Sequence, residues 1–257
     1  MARPPEIRIA PDSHTWATAA AELVQAVGQE AVHASGRFLI ALSGGSTPEA
    51  LYRSLTAPAF ADRFDWSRAI FFFSDERCVP PGDARSNYAL ANKTLFTPLS
   101  ISPAQVHRMA GESRDPQVAA LEYEQRLRDI TNTQSSNDPI LDLVLLGLGE
   151  DGHTASLFPG SPALRDNRSL IAVTQSPKDP PIRMTMTLGA INRATVILFL
   201  VAGAGKAGIV RAILDPKTEA ERQLPASLVV PESGRLIWQL DRAAASKLPE
   251  HRQSRSA

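Results

Sequence analysis

The sequence predicts a single α/β domain built on a mostly parallel, doubly wound sheet flanked by helices. Three observations carry that prediction. Apolar runs alternate with helix-like stretches along the chain, the order that right-handed βαβ crossovers produce. The run Leu141–Leu146 is almost wholly apolar, as strands covered on both faces of a parallel sheet are. A strand, a glycine-rich turn and a helix also follow one another three times, after Leu39, Leu141 and Thr195.

Taken in order, a helix is expected over Ser13–Ala34 and a strand over Arg37–Leu42. A helix follows over Pro48–Leu55, where Pro48 suits the first turn and Thr47 is available as its cap. The strand Ala69–Phe73 leads to helices over Asn87–Leu95 and Pro116–Thr131. Strands are expected at Leu141–Leu146, Leu170–Thr174 and Thr195–Val201, then a helix at Lys206–Leu214 and a last strand at Leu236–Leu240. No Pro/Gly/Ser-rich linker divides the chain, so residues 1–249 read as one domain. Asn132–Pro139 and Gln175–Pro181 read as surface loops, and residues 250–257 as a disordered tail.

Composition narrows the function classes. Lys plus Arg and Asp plus Glu stand at 27 each, so no global charge draws the chain to nucleic acid or an anionic membrane. Attraction for an anion must be local. The single cysteine, Cys78, excludes an internal disulfide and fits a reducing compartment. The N-terminal MARPPEIRIA has no apolar signal core, and no segment approaches the roughly 20 apolar residues of a membrane span. The expectation is a cytoplasmic protein.

The three turns carry the chemistry. In the first, Ser43, Gly44, Gly45, Ser46 and Thr47 offer unobstructed backbone N–H groups just before a helix. Such a turn suits phosphate, because free amides and the helix dipole both favour negative charge. A plain βα turn with a Ser/Thr cap reads equally well. Without the GK[ST] of a Walker loop, nothing marks a nucleoside triphosphatase. The second, Gly147-x-Gly149-x-x-Gly152, matches the dinucleotide fingerprint only formally, since a Phe-Pro-Gly break follows where a long helix is needed. The third, Gly203-x-Gly205-x-x-Gly208, carries Lys206 in the first turn of its helix. There a cation opposes the helix dipole unless an anion is bound, although a solvated lysine is the plainer reading.

Charged groups stand beside these turns. Asp151 and His153 lie two residues apart at the carboxyl end of the apolar strand, where ligands bind in such sheets. His153 can act as a base near neutrality, and Asp151 can orient it. The other four histidines read as structural or solvated, and none stands at metal-ligand spacing from another His or Cys. No G-x-S-x-G elbow marks a serine hydrolase. Asp75 and Glu76 are neighbours on an extended segment and cannot face the same crevice, so they are not a carboxylate pair. Asp75 and Arg77 can share a side, with a solvated charge cluster the slightly favoured reading.

Together these segments resemble the 6-phosphogluconolactonase family. The matching motifs are SGGSTP at Ser43–Pro48, SDERCVP at Ser74–Pro80 and SNY at Ser86–Tyr88. They continue with GLGEDGHTASLFPG at Gly147–Gly160, IRMTMT at Ile182–Thr187 and GAGKA around Lys206. The resemblance implies the fold of the glucosamine-6-phosphate deaminases and hydrolysis of 6-phospho-D-glucono-1,5-lactone in the oxidative pentose phosphate pathway, without metal or organic cofactor. It implies His153, Asp151, Arg77 and Asp75 as catalytic residues. Substrate and phosphate binding falls to the Ser43–Thr47 turn, Asn87, Arg183 and Lys206. The partner implied is a small sugar-phosphate lactone; the sequence does not settle oligomeric state, and a monomer is the expectation. Transient association with glucose-6-phosphate dehydrogenase is left open. A deaminase, and a sensor that binds sugar phosphate without turnover, are the rival readings.

Overall fold

The computed structural model describes residues 3–131 and 140–250. The predicted loop Asn132–Pro139 and all of the predicted tail except Glu250 lie outside the described residues. The strands are β1 (Glu6–Ala10), β2 (Phe38–Leu42), β3 (Ala69–Phe73), β4 (Asp75–Arg77), β5 (Leu143–Leu146), β6 (Ile171–Gln175), β7 (Ile182–Met186), β8 (Val196–Val201) and β9 (Arg235–Asp241). The principal helices are α1 (Ser13–Ser35), α2 (Ser46–Leu55), α3 (Asn87–Ala91), α4 (Pro116–Thr131) and α5 (Ala207–Leu214).

Six strands form one sheet in the order β1-β9-β8-β5-β2-β3, every pair parallel. The mostly parallel α/β class is what the sequence predicts. Side chains alternate across the sheet with period two. Phe38, Ile40 and Leu42 of β2, with Leu143 and Leu145 of β5, pack beneath Trp16 and Val24 of α1 and Leu51 and Leu55 of α2. Leu39, Ala41, Val144, Leu146 and Phe199 face the other way, onto Tyr123 and Leu127 of α4 and Val210 of α5. Each of these large buried side chains is worth roughly 1.5–3 kcal/mol of apolar transfer. With both faces covered, chemistry is left to the strand ends.

The prediction needs correcting at one strand. Leu170–Thr174 emerges as β6, but outside the parallel sheet: β4, β7 and β6 form a separate antiparallel sheet in that order. Only six residues separate β6 from β7, whereas a parallel crossover needs a dozen or more, so a hairpin is the only connection available. This annex is welded to the main sheet through Ser74, the single residue between β3 and β4. Its N–H donates to Leu42 O at 2.8 Å, and its carbonyl accepts from Met186 N at 2.7 Å.

Two helix boundaries also differ from expectation. α2 begins at Ser46, with Gly45 before it at φ 104°, and no side chain caps it. Thr47 is therefore inside the helix and is not its cap. The stretch Asn87–Leu95 is split, α3 ending at Ala91 and a π turn continuing over Asn92–Phe96.

Candidate active site

The carboxyl ends of β2, β5 and β8 are neighbours in the sheet, and a cleft of about 300 Å³ opens above them. All five residues of the first turn, Ser43–Thr47, line it. The turn is pinned from beneath: Ser43 N donates to Tyr52 Oη at 3.1 Å, and that hydroxyl donates to Ser43 O at 2.6 Å. A Cβ on Gly44 would lie 1.8 Å from Asn87 Oδ1, so only glycine allows that approach. The uncapped start of α2 disfavours the plain-turn reading. Its first residues have no side-chain cap and line the cleft, the setting in which a helix start receives an anion.

The turn after β5 presents Asp151 and His153. His153 Nδ1 lies 2.5 Å from Asp151 Oδ1, which also accepts the His153 N–H at 3.2 Å. The Phe158 ring packs on the imidazole with centroids 4.8 Å apart. Gly149 N donates to His153 O at 2.8 Å, closing the turn. A Cβ on Gly149 would stand 2.0 Å from His153 Nδ1. Burial pushes the Asp151 carboxyl up, but the hydrogen bond and charge of His153 outweigh it and hold the group below the usual range. An ionised Asp151 keeps the proton on Nδ1 and leaves Nε2 as the basic nitrogen. His153 itself lines the cleft.

The third turn places Lys206 on the β8 side of the cleft. Gly203 takes φ 96°, and its N–H donates to both Asp241 carboxylate oxygens, at 3.0 and 3.1 Å. That bond anchors the turn to β9.

The annex supplies the opposite wall. Asp75 and Glu76 are 6% and 2% exposed, so the solvated-cluster reading is overturned. Neighbours on β4, they diverge as strand geometry requires. Asp75 lines the cleft and accepts from Ser156 Oγ at 2.6 Å and Asn87 Nδ2 at 3.1 Å. It does not hold Arg77. Glu76 turns away and accepts from Arg77 N, Ser86 Oγ, Asn87 N and Tyr88 N at 2.7–2.9 Å, tying the start of α3 to β4. Burial raises the Glu76 carboxyl, and these four donors pull it back only in part.

Arg77 and Asn87 line the cleft. Arg77 Nε and Asn87 Oδ1 are buried without a hydrogen-bond partner among the described residues. Arg183 is a different matter. It pairs with Arg77 across β4 and β7, but it is not part of the cleft lining. It is buried, and its Nε donates to Pro180 O at 2.7 Å. Burial, then the neighbouring Arg77 charge, lower its affinity for a proton. Sequence reasoning missed Ser156 and Lys178. Lys178 lines the cleft from the β6–β7 hairpin, in a segment whose Pro-rich composition signals only a loop. Among the described residues no three His, Cys, Asp or Glu gather to hold a metal. The cleft's donors are amides, hydroxyls and cations, a set suited to an anionic, hydroxyl-bearing ligand.

Comparison with known proteins identifies the family and the fold. The family model for glucosamine-6-phosphate isomerases/6-phosphogluconolactonase matches residues 11–238. A 6-phosphogluconolactonase of Mycobacterium bovis is 42% identical over 252 residues, covering 95% of this chain and 98% of the relative. The solved 6-phosphogluconolactonase of Trypanosoma cruzi superposes with a TM-score of 0.83 at 28% identity, covering 96% of this chain and 98% of the other. A monomeric glucosamine-6-phosphate deaminase structure reaches a TM-score of 0.77 at 23% identity over 94% of this chain and 99% of its own, and at that identity speaks for the fold alone. With the matched model running from α1 into β9 and every motif of the cleft inside it, the chain belongs to the glucosamine-6-phosphate isomerase/6-phosphogluconolactonase family.

Proposed function

We propose that this cleft hydrolyses 6-phospho-D-glucono-1,5-lactone to 6-phospho-D-gluconate, the lactonase step of the oxidative pentose phosphate pathway, with His153 as general base. The observation that carries the proposal is the Asp151–His153 contact of 2.5 Å, with the imidazole on the cleft wall. The names of the relatives at high coverage support the substrate class.

In this reading the Ser43–Thr47 amides and Lys206 grip the phosphate, and the lactone ring lies toward the Asp151–His153 turn. His153 Nε2 takes a proton from water as the water oxygen bonds to the lactone carbonyl carbon. Asp151 orients the ring and stabilises the imidazolium that forms. Arg77 faces the charge developing on the carbonyl oxygen. The tetrahedral intermediate collapses with cleavage of the ring C–O bond, and the proton held by His153 passes to the departing ring oxygen. Asp75 and Asn87, locked to each other and to Ser156, present oxygen atoms to sugar hydroxyls. Arg183, committed to Pro180, contributes positive potential from behind Arg77 and does not grip the phosphate directly.

The test is conversion of freshly prepared lactone followed by 6-phosphogluconate formation, against the spontaneous rate. Turnover well above background is expected, with no ammonia released from glucosamine 6-phosphate. Background-rate hydrolysis together with ammonia release would replace this reading with the deaminase one. Tight binding of 6-phosphogluconate with no turnover of either substrate would replace it with the sensor.

A further inference from the structure

Arg77, Lys178 and Lys206 bring three cationic side chains to the cleft, and Lys178 has no role in the reaction as described so far. Lys206 reaches the cleft from the turn after β8 in the main sheet, while Lys178 reaches it from the β6–β7 hairpin of the annex. Its backbone is held with unusual care for a surface hairpin. Ser176 N donates to Pro181 O at 2.7 Å, closing the segment. Lys178 N donates to Ser176 Oγ at 3.0 Å. Buried Arg183 grips Pro180 O from beneath.

The remaining tie is ionic. Asp179, next to Lys178, pairs with Arg85 Nη1 at 2.6 Å. Arg85 is itself forked onto Asp83 through Nε and Nη2, at 2.9 and 2.7 Å, and its carbonyl accepts from Arg77 Nη1. The Asp179 side chain is 76% exposed, and a pair that open adds about 0–1 kcal/mol to global stability. Its consequence is local: it spans the gap between the segment after β4 and the β6–β7 hairpin, and so sets where Lys178 stands relative to Arg77.

We propose that Lys178 is a substrate-anchoring residue of this cleft and that the Asp179–Arg85 ion pair is the clasp that positions it. The proposal rests on the lactonase reading. An anion seated on the β2 turn is then flanked by ammonium groups from both walls. Arg183 is a positioning residue for the same hairpin, acting through the Pro180 carbonyl.

Kinetics with fresh lactone and calorimetry with 6-phosphogluconate, on the full chain, test this. Lys178→Met should raise KM about 10-fold and weaken product binding by a similar factor, with kcat within about 2-fold of wild type. Lys178→Arg should recover most of the loss. Asp179→Asn should raise KM about 3-fold without moving Tm, and that effect should vanish in the Lys178→Met background, the non-additivity expected if Asp179 acts through Lys178. An unchanged KM in Lys178→Met, beside an active wild type, overturns this proposal alone. A 3-fold Asp179→Asn effect that persists without Lys178 overturns the clasp. A wild type that neither turns over lactone nor binds 6-phosphogluconate removes the lactonase reading and this proposal with it.

Discussion

The two walls of the cleft are built by different physics. On the sheet side, β2, β5 and β8 are buried on both faces, and backbone topology alone brings their three turns together. What those turns present is chiefly main-chain amide, plus His153 and Lys206. On the annex side, the strands pair through their backbones, but the residues that line the cleft are set by other side chains: Glu76 ties β4 to α3, and Asp75 ties Asn87 to Ser156. The core secures both walls, Met184 and Met186 of β7 sharing it with the sheet, but on the annex side a polar network sets the side chains that reach the cleft. Damage to the first should appear as lost rate, and damage to the Glu76 network of the second as lost structure.

The sharpest way to break that contrast is at Glu76. Glu76→Ala leaves three backbone N–H groups and the Ser86 hydroxyl without their acceptor, and unsatisfied buried donors are costly. We expect a loss on the order of 3–5 kcal/mol, read by urea denaturation. A loss under about 1 kcal/mol would mean that water replaces the carboxylate freely and the network is not structural. Gly149→Ala should do the reverse. Its methyl would fall 2.0 Å from His153 Nδ1, and displacing a catalytic group by about 1 Å costs around 100-fold in rate. The expected result is a kcat down about 100-fold with Tm little changed, checked by kinetics and calorimetry on one preparation.

Smaller effects sharpen the contrast. Lys206→Ala should raise KM about 10-fold with kcat nearly intact, as for a charge that binds substrate and transition state alike. A kcat loss larger than the KM rise would move Lys206 into the chemistry. The smallest effect is a pH dependence. Because the Asp151 carboxyl is held below its ordinary value when folded, its contribution to stability is present above the ordinary carboxylate pKa and lost as pH falls through the depressed one. The Tm gap between wild type and Asp151→Asn should therefore be widest near neutrality and close below about pH 4. A gap that widened on acidification would contradict the pair.

The sheet wall was the legible one. Period-two alternation, apolar runs and glycine before a helix are local signals, and β2, β3, β5, β8 and β9 follow them. The annex was not, because its order depends on contacts far apart in sequence. Asp75 meets Ser156 across 81 positions, and nothing in the string SDER says that two adjacent acids are buried. Treating Leu170–Thr174 as one more strand of the alternation overlooked the connection length, which permits only a hairpin. Lys178 stayed hidden for the same reason: its segment reads as loop, and only β6–β7 pairing carries it to the cleft. Arg183 was visible through its motif, yet its commitment to Pro180 is a tertiary fact.

The central claim is that His153, oriented by Asp151, is the base for lactone hydrolysis. Its most direct test is kcat on fresh 6-phosphogluconolactone for wild type and His153→Ala, with 6-phosphogluconate affinity measured on both. The account predicts a kcat lower by about 10²–10⁴-fold in the variant and product affinity nearly unchanged. An undiminished kcat in His153→Ala would contradict it.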